Sequence, residues 1–447
     1  MIRSLLLATA LAAATPAFAQ TAAPDTPAPK TVYVQAGALL DKPGGAPRGP
    51  STVVIRDGRI AEVRDGFVAP EAGATLVDLR SAFVLPGLID LHVHLFSEGD
   101  PMKERLNAIT QDDGDSLIIA EEDARKDLEA GFTTVRDLSA PPRLIRALRD
   151  GIARGAVDGP TIVNAGEMIS ITGGHGDDAN GLAEPWADAV HLHQVNTCDG
   201  ADDCRRAVRA QVGLGAQVIK FAATGGVLSN VAGGLGQQMT SDEMKAIVET
   251  AHSFGRRVAV HSHAAAGTLA AVNAGADTIE HGTFLDDTTI AAMKSHGTWL
   301  VPTMLAPVTA LANARAGVLP AAVLPKAEQA AAAAFDSHSR AIRAGVKIAF
   351  GTDTGVSRHG DNAREFALLV KAGMTPGQAI AAATVNAADA LDRKGEIGSI
   401  EPGKWADLIA VPGDPLKDVR QLERIDFVMR HGIVHKLGGK RQPFPAE

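Results

Sequence analysis

Between residues 86 and 395, apolar strand-like runs alternate eight times with helix-like segments, and this pattern limits what the 447-residue chain can fold into. A capping box at Thr240–Glu243 opens one helical segment, and Pro376 stands at the first position of another. Eight such units in about 300 residues favour an α/β fold of the (β/α)8 type, a TIM barrel, over a doubly wound sheet. The apolar runs end at His94, Leu138, Glu167, Gly225, His263, Gly282, Thr303 and Asp353.

The segments on either side of this region read as short strands and turns. Residues 31–85 contain Asp57-Gly58 between two apolar runs, which is a hairpin signal, and residues 396–447 repeat the order strand, turn, strand. Neither segment has enough apolar length to form a core alone. We therefore expect both termini to build one small β-sandwich domain beside the barrel of residues 86–395.

The first 30 residues have the layout of an exported protein. Residues 1–19 combine Arg3, an apolar stretch and the small-residue site Ala17-Phe18-Ala19, which together predict a signal peptide. Residues 20–30 are a linker rich in proline, alanine and threonine. No later apolar run reaches the ~18 residues of a membrane helix, so we expect a periplasmic or secreted protein without a membrane span.

Charge and cysteine content narrow the expected partners. The formal net charge is -9 and no basic block is present, which argues against nucleic acid as a partner. The two cysteines, Cys198 and Cys204, are expected to form a disulfide in an oxidising compartment. Metal binding by this pair is less favoured, because neither a histidine nor a third cysteine shares their segment.

Histidines recur in pairs separated by one residue. With 14 histidines in the chain, chance gives about 0.4 such pairs, but three are present, at 92/94, 191/193 and 261/263. Side chains alternate along a strand, so both members of a strand-end pair face the same way, as a chelated metal requires. His191 and His193 have no strand-end context, and we expect them at the solvated surface.

The carboxyl ends of barrel strands meet at one face, where barrel active sites lie. Taken singly, a rim histidine, a lysine with its amine at the mouth and a turn-capping aspartate are ordinary structural residues. Their coincidence at one end of one barrel favours a functional site. The residues concerned are His92, His94, Lys220, His261, His281 and Asp353.

With these residues the chain resembles the amidohydrolase superfamily, in its binuclear branch with a carboxylated lysine. Three further stretches, Ile171–Gly176, Thr224–Ser229 and His359–Asn362, resemble the group that includes Xaa-Pro dipeptidases and ochratoxinase-type amide hydrolases. The resemblance implies a homo-oligomer and two divalent ions, with zinc expected. It assigns one ion to His92, His94 and Asp353 and the other to His261 and His281, with Lys220 bridging both after reaction with carbon dioxide.

The implied activity is hydrolysis of an amide bond in a small-molecule substrate, either a dipeptide or an N-acyl amino acid, including ochratoxin-type amides. A metal-bridged hydroxide would attack the carbonyl, and Asp353 would act as general acid and base. Candidates for binding a substrate carboxylate or the oxyanion are His175, His263, Ser97, Arg358 and His359.

Two details of the site stay open in the sequence. Alternation places His261 and His263 on the same face, and only the family pattern favours His261 as the ligand. Some related dipeptidases have a tyrosine after the Gly-Gly-Val motif, but Tyr33 is the one tyrosine of this chain. A histidine is therefore favoured as the oxyanion donor.

Other functions are compatible with the same residues. A lactonase or phosphotriesterase would use the same nucleophile, although the expected export and the Thr172–Gly176 stretch favour amides. A deaminase is less consistent, since deaminase sites of this superfamily generally use one metal and lack the bridging lysine. A catalytically inactive barrel scaffold predicts missing ligands, whereas all six positions are filled.

Overall fold

A computed structural model describes residues 31–97, 99–229, 234–319 and 321–444. The expected signal peptide (1–19) and linker (20–30) lie outside the described residues. The strands are β1 Thr31–Leu39, β2 Ser51–Arg56, β3 Arg59–Asp65, β4 Thr75–Pro86, β5 Leu88–Val93, β6 Phe132–Asp137, β7 Thr161–Asn164, β8 Val218–Ala222, β9 Arg257–Ala264, β10 Thr278–Phe284, β11 Trp299–Val301, β12 Leu408–Val411, β13 Phe427–Arg430, β14 Ile433–Leu437 and β15 Lys440–Arg441.

The α-helices are α1 Pro101–Thr110, α2 Asp113–Glu129, α3 Pro142–Ala153, α4 Glu184–His193, α5 Ala201–Leu214, α6 Ser241–Ser253, α7 Ala265–Ala274, α8 Asp287–His296, α9 Leu305–Arg315, α10 Leu324–Ala344, α11 Arg364–Lys371, α12 Pro376–Ala381 and α13 Ala387–Ala390. A π-helical turn, Ala382–Asn386, joins α12 to α13. Short 3-10 helices span Ala321–Val323 and Val419–Glu423.

Strands from both termini form one eight-stranded sheet, in the order β15-β14-β13-β12-β4-β1-β2-β3. The C-terminal strand β12 pairs antiparallel with β4, where Leu408 lies opposite Pro86. Asp57 (φ 49°) and Gly58 (φ 76°) form the tight turn between β2 and β3, as the hairpin signal predicted. The termini thus share a sheet, while a sandwich of two facing sheets and the domain boundaries stay predictions.

Two parallel sheets occupy the middle of the chain, β5-β6-β7 and β11-β10-β9-β8. The Gln217 amide donates to the Asn164 carbonyl between the two sheets, and residues 347–354 hydrogen-bond to both β11 and β5. The predicted α/β class is confirmed. The expected strand ending at Asp353 makes only isolated bridges, at Ile348 and Thr354, and Asp353 between them has a left-handed backbone (φ 60°).

The predicted helix starts are confirmed at two sites. Thr240 and Glu243 form a reciprocal capping box at the start of α6, and Thr375 and Gln378 form another at the start of α12. Among the described residues, no helix combines the length and apolar character needed to cross a bilayer.

Candidate functional site

All six side chains predicted to meet at the strand ends lie in one cavity. The cavity has a volume of about 590 Å³. His92 belongs to β5, Lys220 to β8 and His261 to β9, and all three are at least 95% buried. The other residues of this set that line the cavity are His94, His281 and Asp353.

One group of possible metal donors forms around Asp353. Its Oδ1 atom lies 3.1 Å from Nε2 of His94 and 3.4 Å from Nε2 of His92. One donor atom from each of the three residues lies within 4.8 Å of the other two, which suits a single ion. We call this group the Asp353 cluster.

A second group, the His281 cluster, consists of His261, His263 and His281, whose donor atoms also lie within 4.8 Å of one another. The rings of His92 and His281 are 5.0 Å apart between centroids, so the two clusters are neighbours. His263, expected from the sequence to contact substrate, therefore also lies among the possible ligands. The geometry alone does not separate His261 from His263.

Oxygen atoms around the clusters orient the imidazole rings. In four histidines one ring nitrogen has an oxygen partner at 2.7 to 3.3 Å, which leaves the other nitrogen for a ligand. The partners are the carboxylate of Glu280 for His92, the hydroxyl of Thr303 for His281, the hydroxyl of Thr283 for His263 and the carbonyl of Gly225 for His261.

Three residues that line the cavity have strained backbone conformations. Left-handed φ values occur at His281 (69°), Thr303 (48°) and Asp353 (60°), where non-glycine residues rarely adopt them. The register between β9 and β10 shifts after His281. Because of this break, Glu280 and His281 both contact His92, although neighbours in a regular strand face opposite sides.

Burial sets most of the charge states in the cavity. It lowers the pKa of His92 to about 4 and that of His175 to about 3, so both rings are neutral at pH 7. Burial also lowers the pKa of Lys220 to about 8, despite the nearby carboxylates of Glu280 and Asp353. For Asp353, burial opposes ionisation, but the surrounding histidines hold its pKa well below the usual value.

This donor set fits divalent metal ions. Neutral imidazoles with one nitrogen already oriented, together with an ionised carboxylate, are typical ligands of zinc and similar ions. An amine whose pKa lies near 8 reacts with carbon dioxide more readily than an ordinary lysine. The residues therefore accommodate the metal centre that the sequence predicts.

Three of the residues predicted to contact substrate line the cavity: His175, His263 and Ser97. The His175 ring lies 4.1 Å from the His261 ring and packs directly on Gly226, where a Cβ would overlap it. Its Nδ1 atom has no hydrogen-bond partner among the described residues. His175 is therefore placed to contact a ligand.

The two other predicted substrate contacts lie elsewhere. Arg358 is exposed and is not among the described residues that line the cavity. The His359 side chain is buried, with Nδ1 3.0 Å from Asp127 Oδ2 and Nε2 3.2 Å from the His94 carbonyl. Because both its nitrogens are engaged, His359 supports the backbone of His94 rather than a ligand.

Two expectations outside the cavity agree with the structure. Cys198 and Cys204 are joined by a disulfide. His191 and His193 are exposed, as expected, and Nε2 of His191 lies 3.1 Å from the buried carboxylate of Asp177. The loop after β7 and helix α4 are therefore tied together by this contact.

Several residues of the site were missed by the sequence analysis. Glu280 holds His92 and is itself bound by Arg136, and His338 of α10 contacts the carbonyl of His281 at 2.6 Å. Burial lowers the pKa of His338 to about 4. A glutamate inside the apolar run before His281 was the available signal for Glu280; the position of His338 on a helix gave none.

Comparison with known proteins agrees with this geometry. Residues 83–436 match the amidohydrolase family. Ochratoxinase from Aspergillus niger is 32% identical over 434 residues, covering 92% of this chain and 88% of that protein. A solved Xaa-Pro dipeptidase with bound methionine superposes with a TM-score of 0.85 at 36% identity, covering 91% of this chain and all of the other.

A second solved structure, a prolidase complexed with N-methylphosphonate-L-proline, has a TM-score of 0.83 at 31% identity and covers 92% of this chain and 100% of that one. The ochratoxinase crystal structure has a TM-score of 0.80 at 30% identity, covering 92% and 96%. The family match spans well over half of the chain. The chain belongs to the amidohydrolase family, within its ochratoxinase and dipeptidase-like group.

Proposed function

We propose that the protein is a metal-dependent hydrolase that cleaves the amide bond of a dipeptide or of an N-acyl amino acid. The observation that carries the proposal is the adjacency of the Asp353 cluster and the His281 cluster in one cavity, with 5.0 Å between the rings of His92 and His281. The similarity to a Xaa-Pro dipeptidase and to ochratoxinase supports amides as the substrate class.

The metal centre is part of this proposal. His92, His94 and Asp353 would hold one ion, and His261 and His281 the other, with zinc as the expected metal. Lys220 would bridge them as a carbamate, because an ammonium group has no lone pair for a cation. Two bound divalent ions would polarise the amide carbonyl and activate a water molecule.

The protein's own side chains would transfer the protons and orient the reacting groups. Asp353 accepts a proton from the attacking water and returns it to the departing nitrogen. The neutral rings of His175 and His263, which line the cavity, would donate a hydrogen bond to the developing oxyanion. Glu280, Thr283 and Thr303 keep the histidines oriented through the contacts described above.

Export and assembly also belong to the proposal. Periplasmic or secreted location rests on residues 1–19, which lie outside the described residues. A homo-oligomer rests on the family resemblance.

A hydrolysis panel on the zinc-loaded protein tests the function. It compares Xaa-Pro and aromatic C-terminal dipeptides, N-acyl aromatic amino acids including an ochratoxin-type amide, lactones and a phosphotriester. We expect turnover of at least one amide class that a chelator abolishes. Turnover restricted to lactones and the phosphotriester would replace the proposal with the ester-cleaving alternative, and a complete lack of turnover would favour an inactive scaffold.

A further inference from the structure

Helices α9 and α10 present very small side chains to the cavity. On α9 these are Ala306 and Ala310, one turn apart, and on α10 they are Ala330 and Ala334, also one turn apart. All four are buried. Because each side chain ends at Cβ, the cavity extends into the space between the two helices. We call this space the α9–α10 compartment.

His338 continues the same stripe of α10, one turn beyond Ala334. It is 1% exposed and lines the cavity. Its Nε2 atom lies 2.6 Å from the His281 carbonyl oxygen. A carbonyl oxygen only accepts, so Nε2 carries the hydrogen, and in the neutral ring Nδ1 is left as an acceptor.

The Nδ1 atom of His338 has no hydrogen-bond partner among the described residues. A buried acceptor without a partner costs free energy, and native structures rarely leave one unless a ligand or water satisfies it. Ala330 and His338 are eight residues apart, which corresponds to about 12 Å along the helix. An apolar wall therefore leads from Ala330 to a single acceptor beside His281.

The α9–α10 compartment contains few groups that could stabilise a charged part of a ligand. Lys326 of α10 donates from Nζ to the carbonyls of Ser229 (2.5 Å) and Gly226 (3.3 Å), so two of its three donors are already engaged. Val227 and Leu228 add apolar surface to the cavity lining. Burial of an unpaired charge against such surface would be costly.

We propose that the α9–α10 compartment is the specificity pocket for one of the two groups that flank the scissile amide. It takes a bulky apolar group, best an aromatic ring, that carries a hydroxyl or N–H donor for Nδ1 of His338. This inference rests on the proposed function and deepens it, because it selects tyrosine-like or tryptophan-like amides within the broader substrate class.

The first test narrows the compartment. Ala334→Leu adds three carbons inside it, while Ala332→Leu makes the same change on the exposed side of α10. The measured quantity is the ratio of kcat/KM for a tyrosine-containing amide to that for its glycine counterpart. We expect the ratio to fall at least about tenfold in Ala334→Leu and to stay unchanged in Ala332→Leu. Equal ratios in the two variants would overturn the proposal.

The second test isolates the acceptor. Wild-type protein should prefer a tyrosine-containing amide over its phenylalanine counterpart by about five- to tenfold, the usual effect of one hydrogen bond. His338→Phe should abolish that preference, and His338→Gln, which offers both a donor and an acceptor, should retain part of it. If His338 only supports the His281 carbonyl, both substrates will lose kcat/KM equally and the preference will persist.

Equilibrium binding separates this inference from the proposed function. Calorimetry measures the affinity of the free amino acids tyrosine and phenylalanine, which have no amide bond to cleave, for wild type, Ala334→Leu and Ala332→Leu. The pocket would be supported, even if no amide were cleaved, by tighter binding of tyrosine than of phenylalanine. Ala334→Leu should weaken the binding of tyrosine, and Ala332→Leu should not. Amide hydrolysis without discrimination would overturn the pocket alone, and the absence of both would overturn both proposals.

Discussion

Nδ1 of His92 lies 2.9 Å from Oε2 of Glu280, a residue 188 positions further along the chain. The other carboxylate oxygen of Glu280 accepts a hydrogen bond from Arg136 Nη2 at 2.7 Å, and all three side chains are at most 1% exposed. The carboxylate therefore fixes the ring of His92 so that Nε2 faces Asp353. Burial opposes ionisation of Glu280, but the charge of Arg136 and the bond to His92 lower its pKa to about 2.

Glu280→Gln tests this relationship. The change leaves the guanidinium of Arg136 buried without its carboxylate, so we expect the free energy of unfolding to fall by about 3–5 kcal/mol. The measurement is urea denaturation at pH 7. Glu249→Gln, which removes an exposed ion pair with Lys245, is the control and should cost at most about 1 kcal/mol. Equal losses in both variants would contradict a structural role for the buried triad.

Asp353→Asn should separate catalysis from folding. Asparagine tolerates the left-handed backbone found at this position, so the thermal midpoint should change by only a few degrees. Loss of the proton-accepting carboxylate should reduce kcat at least about a hundredfold. Amide turnover and circular dichroism are measured on the same preparation. Retained activity would show that another group transfers the proton.

Gly226→Ala tests the position of His175. The new Cβ would overlap the His175 ring, so the ring must move and amide kcat/KM should fall at least about tenfold. Gly213→Ala is the matched control on the exposed side of α5, where nothing lies within 4 Å of an added Cβ. That control should keep full activity and gain about 0.5–1 kcal/mol of stability. Normal activity of Gly226→Ala would argue against a role for His175.

The sequence predicted the histidine cluster because its signals are local. Strand alternation is enough to place His92 and His94 on one face, and the expected barrel topology is enough to predict that Lys220 and His261 meet at the same end. Each of these side chains lines the cavity in the structure. The same rule does not place Glu280 and His281 together beside His92, because that depends on the left-handed backbone of His281, which no sequence pattern encoded.

The contacts of residues on helices and long loops could not be predicted from the sequence, for a different reason. His359 follows a predicted strand end, like the metal-binding candidates, yet its side chain turns toward Asp127, 232 positions away on α2. His338 reaches the site only because α10 packs against β10. Such contacts depend on tertiary packing, which a single sequence does not display.

The His359–Asp127 pair predicts a pH-dependent contribution to stability. Burial alone would lower the pKa of His359, but the adjacent Asp127 carboxylate outweighs it and raises the pKa to about 9 from 6.5. A folded-state pKa above the unfolded value means that the stabilisation is complete below pH 6.5 and is lost as the pH rises through about 9. The difference in unfolding free energy between wild type and His359→Gln should therefore be constant from pH 5.5 to 6.5 and shrink toward pH 9. A difference that does not vary with pH would show that His359 is neutral in the folded protein.

Metal content should distinguish His261 from His263. Each ring has one nitrogen engaged, by Gly225 for His261 and by Thr283 for His263, so each keeps one nitrogen for a ligand beside His281. The family resemblance favours His261 as the ligand and leaves His263 to contact substrate. We expect His261→Ala to retain one zinc ion fewer per chain than wild type after dialysis, measured by elemental analysis. His263→Ala should keep the wild-type zinc content and lose amide turnover; loss of zinc from His263→Ala with full occupancy in His261→Ala would reverse the assignment.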